Sequence, residues 1–291
     1  MPEKKVNRKH KDTLFRVIFG EHKDHALALY NAINKTDYTD VDQLKIISLE
    51  DALYIDIKND VGYLFHDVLN LIEHQSTFSP NMPLRGLGYF ADIYQRYVSD
   101  TYGDSAAVNS SRLLKLPAPK YYVFYNGETA REEETELRLS DAYNGAGDLE
   151  VVAHMVNINK GYSRALLDAC EPLYGYSELI ARIRSNKEKG LSIDESVQTA
   201  MESCIEDGIL EDILRTERDK VANILYRGLT EAEKKKLARL ELEYAEERGR
   251  SEARFEDVDS LITSGLAAKE KACEVLGVPL EDYNAYLEDK A

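Results

Sequence analysis

The chain has 291 residues, of which 43% are apolar and 31% charged, with a formal net charge of −16. That length suffices for a substantial core, and no apolar run approaches the roughly 18 residues that span a bilayer. The opening, Met1 to Lys11, is basic but lacks the apolar stretch of a secretion signal. Cys170, Cys204 and Cys273 lie too far apart for a zinc site or a disulfide framework. A cytoplasmic protein with reduced thiols and no membrane partner is the expectation.

Such acidity argues against a nucleic-acid partner, because Lys and Arg supply most of the affinity for a phosphate backbone. The charge is unevenly spread, however. Residues 1–130 hold 15 basic against 17 acidic side chains, whereas residues 131–291 hold 22 against 36. At the N-terminus, Lys4, Lys5, Arg8, Lys9, Lys11 and Arg16 oppose only Glu3 and Asp12. This is either a basic arm that could touch a backbone or a solvated tail.

In chain order, Asp12 to Gly20 carries apolar residues at helical spacing and ends on a glycine, which predicts a short helix. Ala26, Leu27, Leu29, Tyr30 and Ile33 predict a second, from about Asp24 to Asn34. Three β-rich runs follow at Leu44–Leu49, Val61–Phe65 and Val68–Ile72. Asn81-Met82-Pro83 then opens a helix of about four turns, with Met82, Arg85, Tyr89, Ile93 and Tyr97 on one face. Pro119–Tyr125 and Leu149–Ile158 read as two more strands. Beyond residue 160 the pattern is helical, through Leu179, Ile183, Val197, Met201, Ile205, Ile209 and Ile213. It ends in a long charged stretch over 231–256, where Leu237, Leu240 and Tyr244 form a narrow apolar stripe suited to helix packing or to pairing between chains. The expected organisation is an α/β domain, a mixed sheet flanked by helices over residues 1–160, and a helical, acidic region over 161–291.

The chemistry concentrates in the run from Lys58 to Ser76. A chain reversal at His66-Asp67 makes an antiparallel hairpin in which Phe65 faces Val68. Counting outwards, Asp60 comes opposite Glu73, with Cβ atoms about 5 Å apart. Gln75 shares the Glu73 face because side chains alternate with period two. Two facing carboxylates repel, and a hard divalent cation relieves that cost; Mg²⁺ accepts one or two carboxylates plus waters and phosphate oxygens. A bound cation of this kind activates water and stabilises charge developing on phosphate.

An acid followed by Glu-x-Gln is weak alone, but several segments together resemble the recombination-promoting nuclease and putative transposase family of the PD-(D/E)XK superfamily. They are Lys11-Asp12-Thr13-Leu14-Phe15-Arg16-Val17-Ile18-Phe19, Lys58-Asn59-Asp60-Val61 with Glu73-His74-Gln75-Ser76-Thr77, Pro80-Asn81-Met82-Pro83-Leu84-Arg85, and Val123-Phe124-Tyr125-Asn126-Gly127. The resemblance covers roughly residues 10–160. It implies a restriction-endonuclease-like fold and Mg²⁺- or Mn²⁺-dependent hydrolysis of DNA phosphodiesters, endonucleolytic and of low sequence specificity, in recombination or transposition. It also implies catalytic roles for Asp60, Glu73 and Gln75, with Asp60, Glu73 and the main-chain carbonyl of His74 as metal ligands. Gln75 departs from the superfamily's lysine and cannot act as a cation, though its amide can orient water or a phosphate oxygen. Asp12 matches an additional acid of the first helix, or serves as its N-cap.

Arg85 is divided between a phosphate contact and a structural ion pair. The His74 ring is expected to face away from the metal and to pack or hydrogen-bond. His22 and His25 read as surface histidines, and Asn126-Gly127 as a turn whose site-lining role is only hinted at by the resemblance. A homo-oligomer, such as a dimer, acting on DNA is expected. The rival readings are a non-catalytic DNA-binding or assembly protein that keeps the fold, and a helical interaction module.

Overall fold

The computed structural model describes residues 13–48 and 60–289; the side chains of residues 48, 60, 235–252, 285, 288 and 289 lie outside the described set. The chain divides into two compact units, residues 1–228 and 229–291. The long helix α8 (Arg218–Thr263) runs through the division.

Unit one opens with α1 (Leu14–Arg16), which continues as a π turn over Val17–Glu21, and α2 (Lys23–Asn34). Thr13 caps α1, its hydroxyl accepting from the Arg16 amide at 3.3 Å. The N-cap expected of Asp12 is thus supplied one residue later, and Asp12 itself lies outside the described residues, as do residues 1–11 of the basic arm. The sheet contains β1 (Lys45–Ser48), β2 (Asp60–Phe65), β3 (Val68–Gln75), β4 (Ala118–Tyr125), β5 (Glu134–Arg138) and β6 (Val152–Asn157), in the order β1-β2-β3-β4-β6-β5. Strands β1 and β3 each run antiparallel to β2 between them, β3, β4 and β6 run parallel, and β5 closes the edge antiparallel to β6. The expected mixed α/β sheet is therefore present, with one strand more than the sequence pattern gives.

Helix α3 (Met82–Tyr102) makes the crossover from β3 to β4 that a parallel pair requires. It covers one face, packing Met82, Tyr89, Phe90 and Ile93 on Leu69, Leu71, Tyr121, Val123, Tyr125 and Met155. Gly86 lets it lie close, since a Cβ there would stand 2.5 Å from the Tyr121 ring. The opposite face is built on α1 and on α5 (Glu171–Glu188), reached through α4 (Arg164–Ala169). There Phe15 meets Phe124 edge-on, stacks on His74 at 5.4 Å and meets Tyr176 edge-on, while the Tyr63 hydroxyl donates to the Phe19 carbonyl at 2.7 Å. Helices α6 (Ile193–Glu206), which starts with a capping box of Ser192 and Glu195, and α7 (Glu211–Thr216) complete this unit up to α8.

Unit two is helical. The end of α8, α9 (Lys269–Leu276) and α10 (Leu280–Asp289) enclose Val258, Ala272, Cys273, Val278 and Tyr283. The expected stripe of Leu237, Leu240 and Tyr244 belongs to side chains outside the described set. The three cysteines are free and buried, and no helix among the described residues is long and apolar enough to cross a membrane.

Candidate functional site

The two-residue turn at His66-Asp67 sets the geometry. Phe65 pairs with Val68 and, five steps out, Asp60 pairs with Glu73. His66 adopts φ +50, in the left-handed region that a tight hairpin turn demands. The register expected from counting is the register found. The Asp60 side chain lies outside the described set, so the pairing is one of backbone position.

Glu73 is fully enclosed, its side chain 1% exposed. It belongs to the α3 face, in phase with Leu69 and Leu71. Arg85, in the first turn of α3, donates from Nη2 to Glu73 Oε1 at 2.7 Å and to the Tyr89 hydroxyl at 3.3 Å. Of the two readings of Arg85, the ion pair is thus the one formed. Gln75 stands between them. Its amide is satisfied at both ends when its oxygen accepts from Arg85 Nη1 at 2.7 Å and its nitrogen donates to the Thr77 carbonyl at 3.1 Å. The reverse orientation turns its nitrogen to Glu73 Oε2 at 3.3 Å and Met82 Sδ at 2.8 Å, but sets like groups against Arg85 and Thr77. We adopt the first, in which Gln75 braces Arg85 and the chain after β3.

One residue along β3, His74 points to the other face, as expected. Tyr176 of α5 stands 2.8 Å from its Nε2, and Asn126 Nδ2 donates to the Tyr176 hydroxyl at 2.9 Å. Burial lifts the Tyr176 phenol far above its usual range, so it stays protonated beside His74 Nε2. Burial also lowers the His74 pKa to about 4, with help from the Arg184 charge and against the neighbouring Asn126 amide, which raises it. Arg184 in turn donates to Asn159 Oδ1 at 2.7 Å and to the Asn126 carbonyl. His22, read as a surface histidine, is partly buried and pairs with Glu217 at 3.0 Å.

The carboxyl ends of β3, β4 and β6 thus share one edge carrying Glu73 and Gln75, Asn126-Gly127, and Asn157. Gly127 joins the first two: a Cβ there would stand 2.3 Å from the Ser76 carbonyl oxygen. Beside this edge lies a cleft of about 380 Å³ lined by Asn126, Lys160, Ser177 and Arg184. A larger cleft of about 900 Å³, lined by Tyr122, Glu136 and His154, sits over the outer strands and includes none of the expected site residues.

Tyr176, Asn159 and Arg184 were not singled out from the sequence, and Tyr89 was named only as part of the packed face of α3. Only α5 carried a signal, since Tyr176, Ile180 and Arg184 recur every four residues on one helical face.

Among the described residues no group of three or more His, Cys, Asp or Glu could hold a metal ion. Glu73 suits a hard cation as an oxygen donor, but Arg85 already compensates its charge. The described residues fit a metal provided that Arg85 shares or yields that carboxylate. Comparison of the chain with family models, with curated proteins and with solved structures finds no match.

Proposed function

We propose that the protein is a divalent-metal-dependent DNA nuclease with a restriction-endonuclease-like core of the PD-(D/E)XK type, cutting phosphodiesters internally with little sequence preference. The observation that carries this reading is the register of Asp60 opposite Glu73 at the end of the hairpin. Gln75 on the same strand and the sequence resemblance at all three positions add to it. Asp60, Glu73 and the His74 main-chain carbonyl would hold Mg²⁺ or Mn²⁺, which supplies an activated water and charge stabilisation on the phosphate. The chain's own part is positional. Gln75 orients a water or phosphate oxygen through its amide, and Arg85, freed in part from Glu73, meets phosphate as a planar cation. The closed, apolar surroundings of Glu73 strengthen each of these contacts.

Supercoiled plasmid should be nicked with Mg²⁺ by the wild-type chain and not by Asp60→Ala or Glu73→Ala. Equal nicking by all three would point to a contaminant and end the reading. The Arg85–Glu73 pair favours a second one, a non-catalytic DNA-binding or assembly protein in which the ion pair is structural. Arg85→Met separates the two. It leaves a buried carboxylate uncompensated, at a cost of about 3–5 kcal/mol in urea unfolding. Added Mg²⁺ should restore much of that loss if Glu73 belongs to a metal site, and none if the pair only braces α3.

A further inference from the structure

The cleft beside the shared strand edge contains groups that nothing described so far uses. Asn126 and Ser177 are 4% and 5% exposed, yet Asn126 Oδ1 and Ser177 Oγ have no hydrogen-bond partner among the described residues. A buried polar atom left unmet costs about 1–3 kcal/mol, so two of them lining one cleft call for an occupant with matching polar groups. Arg184 spends two of its N–H groups on Asn126 and Asn159 and, of the five a guanidinium has, keeps the rest. Those two bonds fix the plane of its charge. Lys160, paired with Glu178 at 3.0 Å, keeps a mostly exposed side chain at the rim. Tyr162 lies at the same rim and is 36% exposed.

An aromatic ring, fixed and mobile cations, and unmet amide and hydroxyl groups are together the means by which proteins hold unstacked nucleotides: a base stacks, its edge hydrogen-bonds, and phosphate meets Arg or Lys. Glu128 and Glu188 also line the cleft and would turn phosphate away from their side, towards Arg184 and Lys160. The volume, about 380 Å³, is at the small end of ligand sites. We infer that this cleft takes one nucleotide of single-stranded DNA, with its base against Tyr162 and hydrogen-bonded to Asn126 and Ser177, and its phosphate on Arg184 and Lys160. The inference rests on the reading of the chain as a DNA-acting protein. Because Gly127 abuts the chain leaving β3, the held nucleotide would neighbour the phosphate presented to Glu73.

The test is fluorescence anisotropy of a labelled single-stranded hexadeoxynucleotide with the full chain, in EDTA so that no cutting occurs. Wild type should bind it. Tyr162→Ala, at a position on the rim, should weaken binding about tenfold, the usual size of one lost stack. Ser177→Ala should weaken it by less, and deoxyadenosine monophosphate should compete far better than inorganic phosphate. Affinity unchanged in Tyr162→Ala and Ser177→Ala would overturn the inference, as would equal competition by inorganic phosphate or the absence of binding. Plasmid nicking with intact Tyr162→Ala affinity would sink the cleft alone. Oligonucleotide binding lost in Tyr162→Ala without any nicking would sink the nuclease reading and leave the cleft standing.

Discussion

At the residue scale, neighbouring side chains of β3 live in opposite electrostatic worlds. Glu73 is paired with the Arg85 guanidinium, while His74 is held neutral among Phe15, Tyr176 and Asn126. The folded His74 pKa lies near 4, below the 6.5 of an unfolded histidine. Between those values the unfolded chain binds a proton that the folded chain refuses, so stability falls as pH drops through this window and His74 contributes no slope above it. His74→Gln should flatten the acid limb of a urea-stability profile from pH 6.5 to 4. An unchanged limb would show that other groups carry it. The sequence disclosed that His74 and Glu73 face opposite ways, because strand alternation needs only counting. It did not disclose Tyr176, 102 residues away, and it left Arg85 open between a phosphate contact and the ion pair that Glu73 forms with it.

At the scale of elements, the hairpin was legible because a two-residue turn leaves one register for the apolar pattern to satisfy. Strand β5 was missed for an equally physical reason. As an edge strand it is paired on one side only, and in Glu134-Thr135-Glu136-Leu137-Arg138 Leu137 alone is buried. Helix α3 was read as about four turns but extends to Tyr102, where Gly103 takes the left-handed conformation. Its last turns, Ser99-Asp100-Thr101-Tyr102, are too polar for periodicity to register. The contact that seats it is close. Gly86→Ala would drive a methyl into the Tyr121 ring, so a loss of about 1–3 kcal/mol is expected from overpacking, read as a lower urea midpoint with unchanged slope. A neutral substitution would mean that α3 can lift from the sheet at little cost.

For the whole molecule, the acidic helical half is not one piece. Helices α5, α6 and α7 belong to the compact unit of the sheet, whereas residues 229–291 form a unit with its own apolar centre. A chain ending at residue 228 should therefore keep a cooperative thermal transition. One ending at residue 165 loses α5, and with it Tyr176 and Arg184, and should unfold or aggregate. Scanning calorimetry of both fragments checks this, and a cooperative melt of the shorter one would show that the sheet holds without its second helical layer. The sequence showed the change of character near residue 160, because strands give way to helices there. Which helices pack on the sheet could not be read, since apolar periodicity gives the face a helix buries and not the element it meets.

The turn at His66-Asp67 has a consequence for how such a chain tolerates change. With β3 seated against β4, every residue of β2 is assigned its partner on β3 by the length of that one reversal. Insertion of a single residue there, with β3 kept in place against β4, would slide β2 by one position. It would bring Val61 to the place opposite Glu73 and move the remaining side chains of β2 to the wrong layer. Altered loop lengths are ordinarily absorbed at hairpin tips, but here the tip acts as the ruler for the acidic pair, and its length is as constrained as the two acids it aligns.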